Sequence, residues 1–464
     1  MTVRLPPRGS MAIERERICA LNDAAPRRGA FVLYWMQQAQ RAEFNPALEY
    51  AVARADALGL PVAVAFGLTD AYPEANLRHY AFLIEGLAEV RDALQARGIA
   101  FALAIGDPAE VALRAARRAA LIVCDRGYLR HQRAWRERVA REAGCEVVQV
   151  EGEAVVPVEA VSDHAEFAAR TIRPKIHRLL DRFARVPAAA PAPARRAGGR
   201  RWTGMDLVEP EDALSRLKTD RTVPAVGAIF RGGPSEARRR FRAFLKDRFA
   251  GYAENRNQPQ TDDVSGMAMY LHYGHVSPVW LAAEARSAAA PAPARDAFLE
   301  ELCVRRELAN NFTRFAERYD SFEAIPAWAR RTLDAHRRDA RRPAYSRDRL
   351  DAAATHDPYW NAAMREMKHT GYLHNYMRMY WGKKILEWSA SPEEAFESAL
   401  ALNNRYLLDG RDPSSYAGVG WVFGLHDRPW TERPVFGMVR YMNAAGLERK
   451  CDIEAYVRKV ESRQ

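Results

Sequence analysis

The feature that most constrains the fold is the alternation of short apolar runs with amphipathic stretches over residues 29–185. The apolar runs are FVLYWM (31–36), PVAVAFG (61–67), IAFALAIG (99–106), ALIVCDRG (120–127) and CEVVQVEG (145–152). Each is as long as a typical strand, while stretches such as 80–98 have helical periodicity and end in a C-cap glycine. Because strands that are apolar on both faces belong to parallel sheets covered by helices, this region is predicted to be a doubly wound α/β domain. Ligands of such sheets bind at the carboxyl ends of the strands.

The composition changes at VPAAAPAPARRAGGRR (186–201), a tract typical of a linker. From residue 205 the strand pattern disappears, and helical periodicity covers 234–254, 295–316, 357–371, 371–388 and 391–410. Ser391 and Glu394 form a capping-box pattern, whereas AAAPAPARD (288–296) is predicted to be a loop. The expected organisation is an N-terminal extension (1–28, with 1–10 unstructured), an α/β domain (29–185), a linker (186–204) and an all-α domain (205–464).

Charge and hydropathy restrict the partners and the compartment. Lys and Arg number 70 against 59 Asp and Glu, which gives a net charge of +11. This excess favours a polyanionic partner such as nucleic acid, although a basic, Arg-rich proteome explains it equally well. No apolar run reaches the length of a membrane span, and the first residues lack the apolar core of a signal peptide. A cytoplasmic monomer is expected, associated with the nucleoid if the source is prokaryotic.

Common phosphate and metal motifs are missing from the sequence. The glycines of GVGWVFG (418–424) have the wrong spacing for a dinucleotide fingerprint and do not follow a strand pattern. The five cysteines are scattered without a Cys-x-x-Cys pair, and His272 and His275 have no further ligand nearby in sequence. No metal site is expected.

The helix predicted over 371–388 carries the most informative pattern. Arg378, Trp381, Ile385 and Trp388 share one face, and the two tryptophans lie about 10 Å apart along the axis. A core stripe explains such spacing, and so does an electron hop between tryptophans. A buried arginine, however, needs an anionic partner. The turn LDGRDP (408–413) offers Asp409 and Asp412, so the pattern suggests a polar, redox-active cofactor beside the tryptophans.

At this point the chain resembles class II cyclobutane pyrimidine dimer photolyases of the photolyase/cryptochrome family. The similar segments, in the family's order, are TIRPKI (171–176), NRNQP (255–259), SGMAMYLHYGHVSP (265–278), VRRELANNF (304–312), HDPYWNAA (356–363), TGYLHNYMRMYWGKKILEW (370–388), LNNRYLLDGRDPSSYAGVGW (402–421) and HDRPW (426–430). Each segment alone is weak, but their combination is very specific. The resemblance implies an α/β antenna domain followed by a helical domain that binds FAD.

The resemblance also implies an activity, a carbon–carbon lyase reaction on double- and single-stranded DNA that contains pyrimidine dimers. Reduced FAD, excited by blue light, gives an electron to the dimer, the cyclobutane ring opens and the electron returns. An antenna chromophore is a further possibility, and a deazaflavin, a folate and a second flavin all stay open as its identity.

Carried over position by position, the resemblance assigns roles to individual residues. At FAD it places Tyr252, Val264, Ser265, Gly266 and Met267 by the phosphates and ribityl chain, Arg378 paired with Asp409 beside the isoalloxazine ring together with Gly410, and Asn403 at flavin N5. Trp381, Trp360 and Trp388 would pass electrons in from the surface to reduce the flavin. The flipped dimer would contact Glu301, Met379 and Trp421, while Arg428 and Arg440 fill the gap left in the duplex.

The chemistry of these side chains is consistent with the implied roles. A protonated Glu301 can donate to a thymine carbonyl as negative charge develops, which requires burial to raise its pKa. Asn403 can donate to or accept from N5, and Trp421 offers a stacking wall for an extruded base. Arg428 and Arg440 can pair with orphaned bases and phosphates.

Two positions depart from the family's common pattern. Ala268 stands where relatives often have Ser, so that contact to FAD is expected to be lost, and Asn310 stands where Asp is common.

Two other functions compete with repair. The first is a cryptochrome-like photoreceptor without repair activity, against which the complete set of candidate substrate contacts argues. The second is a flavin-free nucleic-acid-binding protein, supported only by charge.

Overall fold

The computed structural model describes residues 13–186, 194–195, 202 and 205–463. Residues 1–10, predicted to be unstructured, and most of the predicted linker 186–204 lie outside the described residues. The described chain confirms the predicted class, an α/β domain followed by a helical domain.

The α/β domain is built on one six-stranded sheet with the order β1-β6-β5-β2-β3-β4. Its strands are β1 (Ile18–Ala20), β2 (Phe31–Met36), β3 (Val62–Leu68), β4 (Ala100–Ile105), β5 (Ala119–Asp125) and β6 (Glu146–Val150). All pairings are parallel except that of β1 with β6. The strand order reverses between β2 and β5, which places the topological switch point at their carboxyl ends.

Six helices accompany the sheet: α1 (Pro46–Leu58), α2 (Leu77–Ala96), α3 (Pro108–Ala115), α4 (Arg130–Glu142), α5 (Val158–Val161) and α6 (Ala169–Phe183). Alternate residues of β2 face opposite sides of the sheet. Val32 and Tyr34 belong to a core that includes residues of α1 and α2, and Leu33 and Trp35 belong to one that includes residues of α3. Both faces of the sheet are therefore covered, as the fully apolar strands predicted.

The helical domain contains fifteen helices in the described part of the chain. They are α7 (Pro210–Arg216), α8 (Pro234–Asp247), α9 (Tyr252–Asn255), α10 (Ala268–His272), α11 (Pro278–Ser287), α12 (Ala292–Leu299), α13 (Arg306–Phe315), α14 (Ala327–Ala335), α15 (Arg347–Asp351), α16 (Pro358–Thr370), α17 (Asn375–Trp388), α18 (Pro392–Tyr406), α19 (Pro413–Val422), α20 (Ala444–Lys450) and α21 (Ile453–Glu461). A π-helical segment, Glu300–Arg305, joins α12 to α13.

The structure differs from the sequence expectations at three places. The first is β1, which lies within the region expected to be an extension and adds an antiparallel edge to the sheet. The second is α12, which begins at Ala292, inside the tract 288–296 that was predicted to be a loop, with Pro293 in its first turn. The third is the N-terminus of α18, where Ser391 accepts from the Glu394 amide as one half of the predicted capping box.

Polar contacts join the two domains. Arg78 in α2 is buried and donates to the carbonyl oxygens of Met367 and Tyr406, at 3.2 and 2.7 Å, in the helical domain. None of the helices in the described ranges combines the length and the hydropathy that crossing a bilayer requires.

Candidate functional site

The centre of the helical domain holds an ion pair between α17 and the turn that follows α18. Nη2 of Arg378 donates to both carboxylate oxygens of Asp409, at 2.7 and 3.0 Å. The two side chains are only 14% and 12% exposed. Asp409 is therefore the anionic partner that the position of Arg378 required. Asp412, the other candidate, instead caps α19 by accepting from the Ser414 amide.

Asn403 of α18 is oriented by two independent hydrogen-bond chains. Its Nδ2 donates to Asn404 Oδ1 and to Ser415 Oγ, each at 3.1 Å. Asn404 Oδ1 also accepts from the backbone N–H of Arg411, and the Ser415 hydroxyl donates to the Asp409 carbonyl. Since both neighbours can only accept from Asn403, its amide nitrogen must point toward them. Its Oδ1 is buried and has no partner in the described structure.

Three more buried polar atoms, on α17 or at its N-terminus, lack a partner within the described residues. They are Arg378 Nε, Trp381 Nε1 and His374 Nε2. Buried polar groups are nearly always hydrogen-bonded in folded proteins, so each unpaired atom requires an explanation. Three unpaired ring or guanidinium nitrogens and one unpaired amide oxygen fit a polar, aromatic ligand such as the isoalloxazine ring of FAD.

Three tryptophans form a continuous ring contact beside the ion pair. Trp360 of α16 stacks on Trp381, with centroids 6.4 Å apart and planes 9° from parallel, and its Nε1 donates to the Trp381 carbonyl. The centroid of Trp388 lies 5.7 Å from that of Trp360. In space, the three rings therefore lie in the order Trp381, Trp360, Trp388. Trp388 is only 2% exposed, so the last tryptophan of the row is buried, although electrons were expected to enter there from the surface.

Aromatic contacts continue from the buried end of this chain toward solvent. The rings of Tyr345 and His356 lie 5.4 and 5.3 Å from the ring of Trp388. His356 is exposed, whereas Tyr345 is half-buried. Ring contacts therefore continue from Trp388 to an exposed side chain.

The segment expected at the FAD phosphates lies just before α10. Gly266 has a φ of +65°, and a Cβ placed there would meet no atom within 4 Å, so open space surrounds it. Ser265 Oγ accepts from the Met267 amide at 3.4 Å. Tyr252 packs edge-on against Phe244, with centroids 5.7 Å apart. The backbone around Gly266 thus leaves room for a ligand, which a side chain at this position would narrow.

Gly410 contributes through packing. A Cβ at this position would lie 2.9 Å from the Asn404 Cα and 3.0 Å from the Asn403 carbonyl oxygen. Only glycine lets the turn carrying Asp409 approach α18 this closely. Gly410 therefore sets the distance between the ion pair and Asn403.

Glu301 lies in the π-helical segment, and such segments are frequent at functional sites. Its carboxylate pairs with Arg256 at 2.5 Å, and its side chain is 32% exposed. The burial that was expected to hold a proton on Glu301 is not found, and Arg256, in the turn after α9, pairs with its carboxylate. Arg256 was missed as a site residue, although it stands inside the motif NRNQP.

A surface of aromatic and cationic side chains surrounds Trp421 at the end of α19. The guanidinium of Arg440 lies 5.6 Å from the Trp421 ring and 4.8 Å from the Trp430 ring, and that of Arg428 lies 5.2 Å from Trp430. Trp430, 39% exposed, was missed although it ends the motif HDRPW. The structure brings Trp421, Arg428 and Arg440 together through Trp430, while Met379 is half-buried in the adjacent α17.

A cavity also lies at the carboxyl ends of β2 and β3, next to the topological switch point. Its lining includes Gln37, Gln40, Tyr72 and Trp135 from the α/β domain and Arg411 from the helical domain. Both polar atoms of the Gln37 amide and the Oε1 of Gln40 are buried and unpaired in the described structure. The cavity therefore offers hydrogen-bonding partners to the edge of a planar molecule.

The α/β domain also contributes one residue to the Asn403 network, Glu74. Its carboxylate accepts a hydrogen bond from Asn404 Nδ2. Glu74 has a φ of +57°, which is unusual for a residue with a side chain. No pattern in the sequence links residue 74 to residue 404, so this contact could be found only from the folded chain.

Comparison with known proteins shows which family the chain resembles. A family model described as DNA photolyase matches residues 32–194. The deoxyribodipyrimidine photo-lyase of Methanothermobacter thermautotrophicus is 47% identical over 97% of this chain and 98% of its own length. That of Oryza sativa subsp. japonica is 40% identical over 96% of this chain and 90% of its own.

A solved structure shares the fold. The crystal structure of a bacterial class III photolyase from Agrobacterium tumefaciens has a TM-score of 0.73 with this chain, covering 94% of it and 88% of the other, at 20% identity. At that identity the likeness concerns the fold alone, but the curated relatives match nearly end to end at much higher identity. The chain belongs to the DNA photolyase family.

Proposed function

We propose that this protein repairs cyclobutane pyrimidine dimers in DNA by light-driven electron transfer from reduced FAD. The observation that carries the proposal is the set of unpaired buried polar atoms on Arg378, Trp381 and Asn403, which lies at one end of a stacked tryptophan chain. The class II assignment stays a prediction, since the comparisons do not distinguish the classes.

The residues of the helical domain have distinct tasks toward FAD. Arg378, held by Asp409, presents its unpaired Nε to the cofactor, and the open backbone at Gly266 accommodates the phosphates. Asn403 presents an acceptor, so it favours a flavin whose N5 carries a proton. Bound in its reduced form, FAD supplies the electron that blue light excites. Trp381, Trp360 and Trp388, continued by Tyr345 and His356, connect the site to the exterior for its reduction.

Toward DNA, the surface around Trp421 supplies stacking and positive charge. Trp421 and Met379 form the wall against which the dimer stacks, while Glu301, on the π-helical segment, pairs with Arg256 in the turn after α9. The pair places a carboxylate beside guanidinium donors, so Arg256 can donate to a thymine carbonyl, which was the role expected of a protonated Glu301, or to a phosphate. Arg428 and Arg440 reach toward the opened duplex.

The cavity at the switch point is the proposed site of an antenna chromophore. The unpaired amide atoms of Gln37 and the unpaired Oε1 of Gln40 suit a heterocycle that carries both donors and acceptors, which a deazaflavin, a folate and a second flavin all do. Fluorescence of the released chromophore after denaturation identifies which of the three is bound.

The decisive experiment is illumination of the chemically reduced protein with an oligonucleotide that contains one thymine dimer. Restored thymines are counted as the recovery of absorbance at 260 nm. Repair that requires both light and reduced flavin is the expected result. A yellow protein that is photoreduced but restores no thymines would instead be a photoreceptor, and a colourless protein that cannot be reconstituted with FAD would refute both flavin functions.

A first prediction concerns the acceptor at Asn403. Asn403→Leu removes the unpaired Oδ1 and with it one hydrogen bond to the reduced flavin. The midpoint potential of bound FAD is expected to fall by roughly 20–60 mV, the equivalent of about 1–3 kcal/mol for two electrons. Spectroelectrochemical titration measures it. Ser398→Ala, a buried polar residue of the same helix that contacts Arg347, is the control and should leave the potential unchanged. An unaltered potential in Asn403→Leu would show that this oxygen does not face the flavin.

A second prediction concerns the arginines at the DNA surface. Arg428→Ala and Arg440→Ala should weaken binding to dimer-containing duplex much more than binding to the damaged single strand, because only the duplex leaves a gap to fill. Fluorescence anisotropy at several salt concentrations measures both affinities, which should decrease steeply with salt. Arg216→Ala, which removes the same charge from the C-terminal end of α7, is the control.

Trp421→Ala provides the contrasting case for the same measurement. Stacking on the dimer is needed in either strand context, so both affinities should decrease by about 1–3 kcal/mol. If the arginine variants instead lose affinity equally for single and double strands, the arginines are phosphate anchors and the gap-filling role is wrong.

A further inference from the structure

Lys383 is a buried cation that the proposed function does not use. It lies in α17 between Trp381 and Trp388 and is 0% exposed. Its Nζ donates to the carbonyl oxygen of Val422 at 2.5 Å and forms no ion pair within the described ranges. Its neighbour Lys384, by contrast, pairs with Glu387 at 2.6 Å. A buried ammonium without a carboxylate is costly, so its position calls for an explanation.

The end of α19 holds this charge. Val422 is the last residue of α19, where carbonyl groups lack helical partners and the helix dipole is negative. The Nζ also lies 4.9 Å from the centroid of the Trp421 ring, within range of a cation–π contact. The two helices touch at Gly382, where a Cβ would lie 2.5 Å from a methyl carbon of Val422. This close packing places Lys383, which is fully buried, on the interior side of the Trp421 ring.

Two charged groups face Lys383 from the segment after α19, and none does so from the other described elements. Burial lowers the pKa of Lys383 to about 7, Asp427 acts to raise it and Arg440 acts to lower it further. Asp427 is itself engaged by Trp430 Nε1, at 3.2 Å. The lysine therefore changes charge near neutral pH, directly behind the proposed stacking wall.

We propose that Lys383 is a positioning residue for the dimer, acting through Trp421: its ammonium group fixes the ring and places a positive charge behind the face on which the dimer stacks. The inference rests on the proposed function. During repair one electron passes to the dimer and the same electron returns, and Lys383 takes part in neither transfer. Its charge lowers the free energy of the electron while it resides on the dimer, which favours ring opening over premature return.

The test compares repair at pH 6 to 9 in the wild type, Lys383→Met and Lys384→Met, using full-length protein with chemically reduced FAD. Protein is held in excess over a single-dimer oligonucleotide, so that binding is complete at every pH. Wild-type repair per absorbed photon should decrease roughly three- to tenfold as pH rises through about 7. Lys383→Met should show the low value at all pH, whereas Lys384→Met should follow the wild type.

A pH profile of Lys383→Met that parallels the wild type would overturn the proposal, and so would wild-type yields for this variant at pH 6. Absence of repair by the wild type at pH 6 would refute the proposed function and this inference with it. These failures are distinguishable because the first two leave wild-type repair intact.

Thermal unfolding supplies a readout that does not depend on repair. Since the folded-state pKa of Lys383 is lowered, the unfolded chain retains the proton at pH values where the folded chain has lost it, so stability rises with pH above about 7. The wild-type unfolding midpoint should therefore rise between pH 7 and 9 relative to that of Lys383→Met. Midpoints that change in parallel would also count against the proposal. A rise without any difference in repair profiles would show that Lys383 is only structural.

Discussion

Trp381→Phe is expected to abolish light-driven reduction of oxidised FAD while repair by chemically reduced protein continues. Trp381 shares a face of α17 with Arg378 and is the member of the tryptophan chain next to the ion pair. Phenylalanine is far harder to oxidise than tryptophan, so an excited flavin finds no donor there. Photoreduction is followed by flavin absorbance under blue light with an external reductant present. Its rate should decrease by at least an order of magnitude.

Trp360→Phe tests whether the chain acts as a unit. Trp360 lies between the other two rings, 6.4 Å from Trp381 and 5.7 Å from Trp388, so its loss should interrupt the transfer even with Trp381 present. Trp280→Phe is the matched control, because Trp280 is equally buried but packs against Phe241 elsewhere in the helical domain. Unchanged photoreduction in Trp381→Phe would show that these tryptophans are only core residues.

The same residues show what the sequence could and could not predict. Helical spacing placed Trp381 and Trp388 on one face of α17, about 10 Å apart along the axis. Trp360 belongs to another helix, and its insertion between them depends on how α16 packs against α17. Periodicity therefore identified two members of the chain, while only the resemblance to a family pointed to the third.

Local patterns predicted the sheet well because each strand is apolar on both faces. The five predicted runs correspond to β2–β6, but β1 is only three residues long and two of those residues are exposed. A short edge strand has no distinctive periodicity, and its pairing with β6 is a non-local contact. Similarly, nothing local distinguishes the two adjacent lysines of α17. Lys383 is buried and Lys384 is ion-paired because α19 packs against one face of the helix.

Charge compensation was predictable as a need but not always as a partner. A buried Arg378 required an anion, and the choice between Asp409 and Asp412 depended on the turn conformation. Glu301 shows the opposite case. Its side chain was expected to be buried, yet it is partly exposed and pairs with Arg256, 45 residues earlier. Such long-range pairs are set by tertiary packing, which no local pattern records.

Asp409→Ala is expected to produce a protein that loses FAD and unfolds at a lower temperature. The substitution removes the only carboxylate paired with Arg378 in the described structure, and so leaves a nearly buried guanidinium uncompensated. The expected cost is about 3 kcal/mol, at the low end for a buried pair because both side chains retain some exposure. Flavin absorbance relative to protein absorbance gives the occupancy, and thermal unfolding of apoprotein gives the stability.

Asp412→Ala separates this effect from a general loss of a buried carboxylate. Asp412 lies three residues away and caps α19, so its removal should cost roughly 1 kcal/mol and leave FAD bound. Arg378→Met combined with Asp409→Ala removes both charges at once. If the loss in Asp409→Ala comes from the uncompensated guanidinium, the double variant should be more stable than the single one although it still binds no FAD. Full flavin occupancy with normal stability in Asp409→Ala would refute the assigned pairing, because Arg378 would then be held by something other than Asp409.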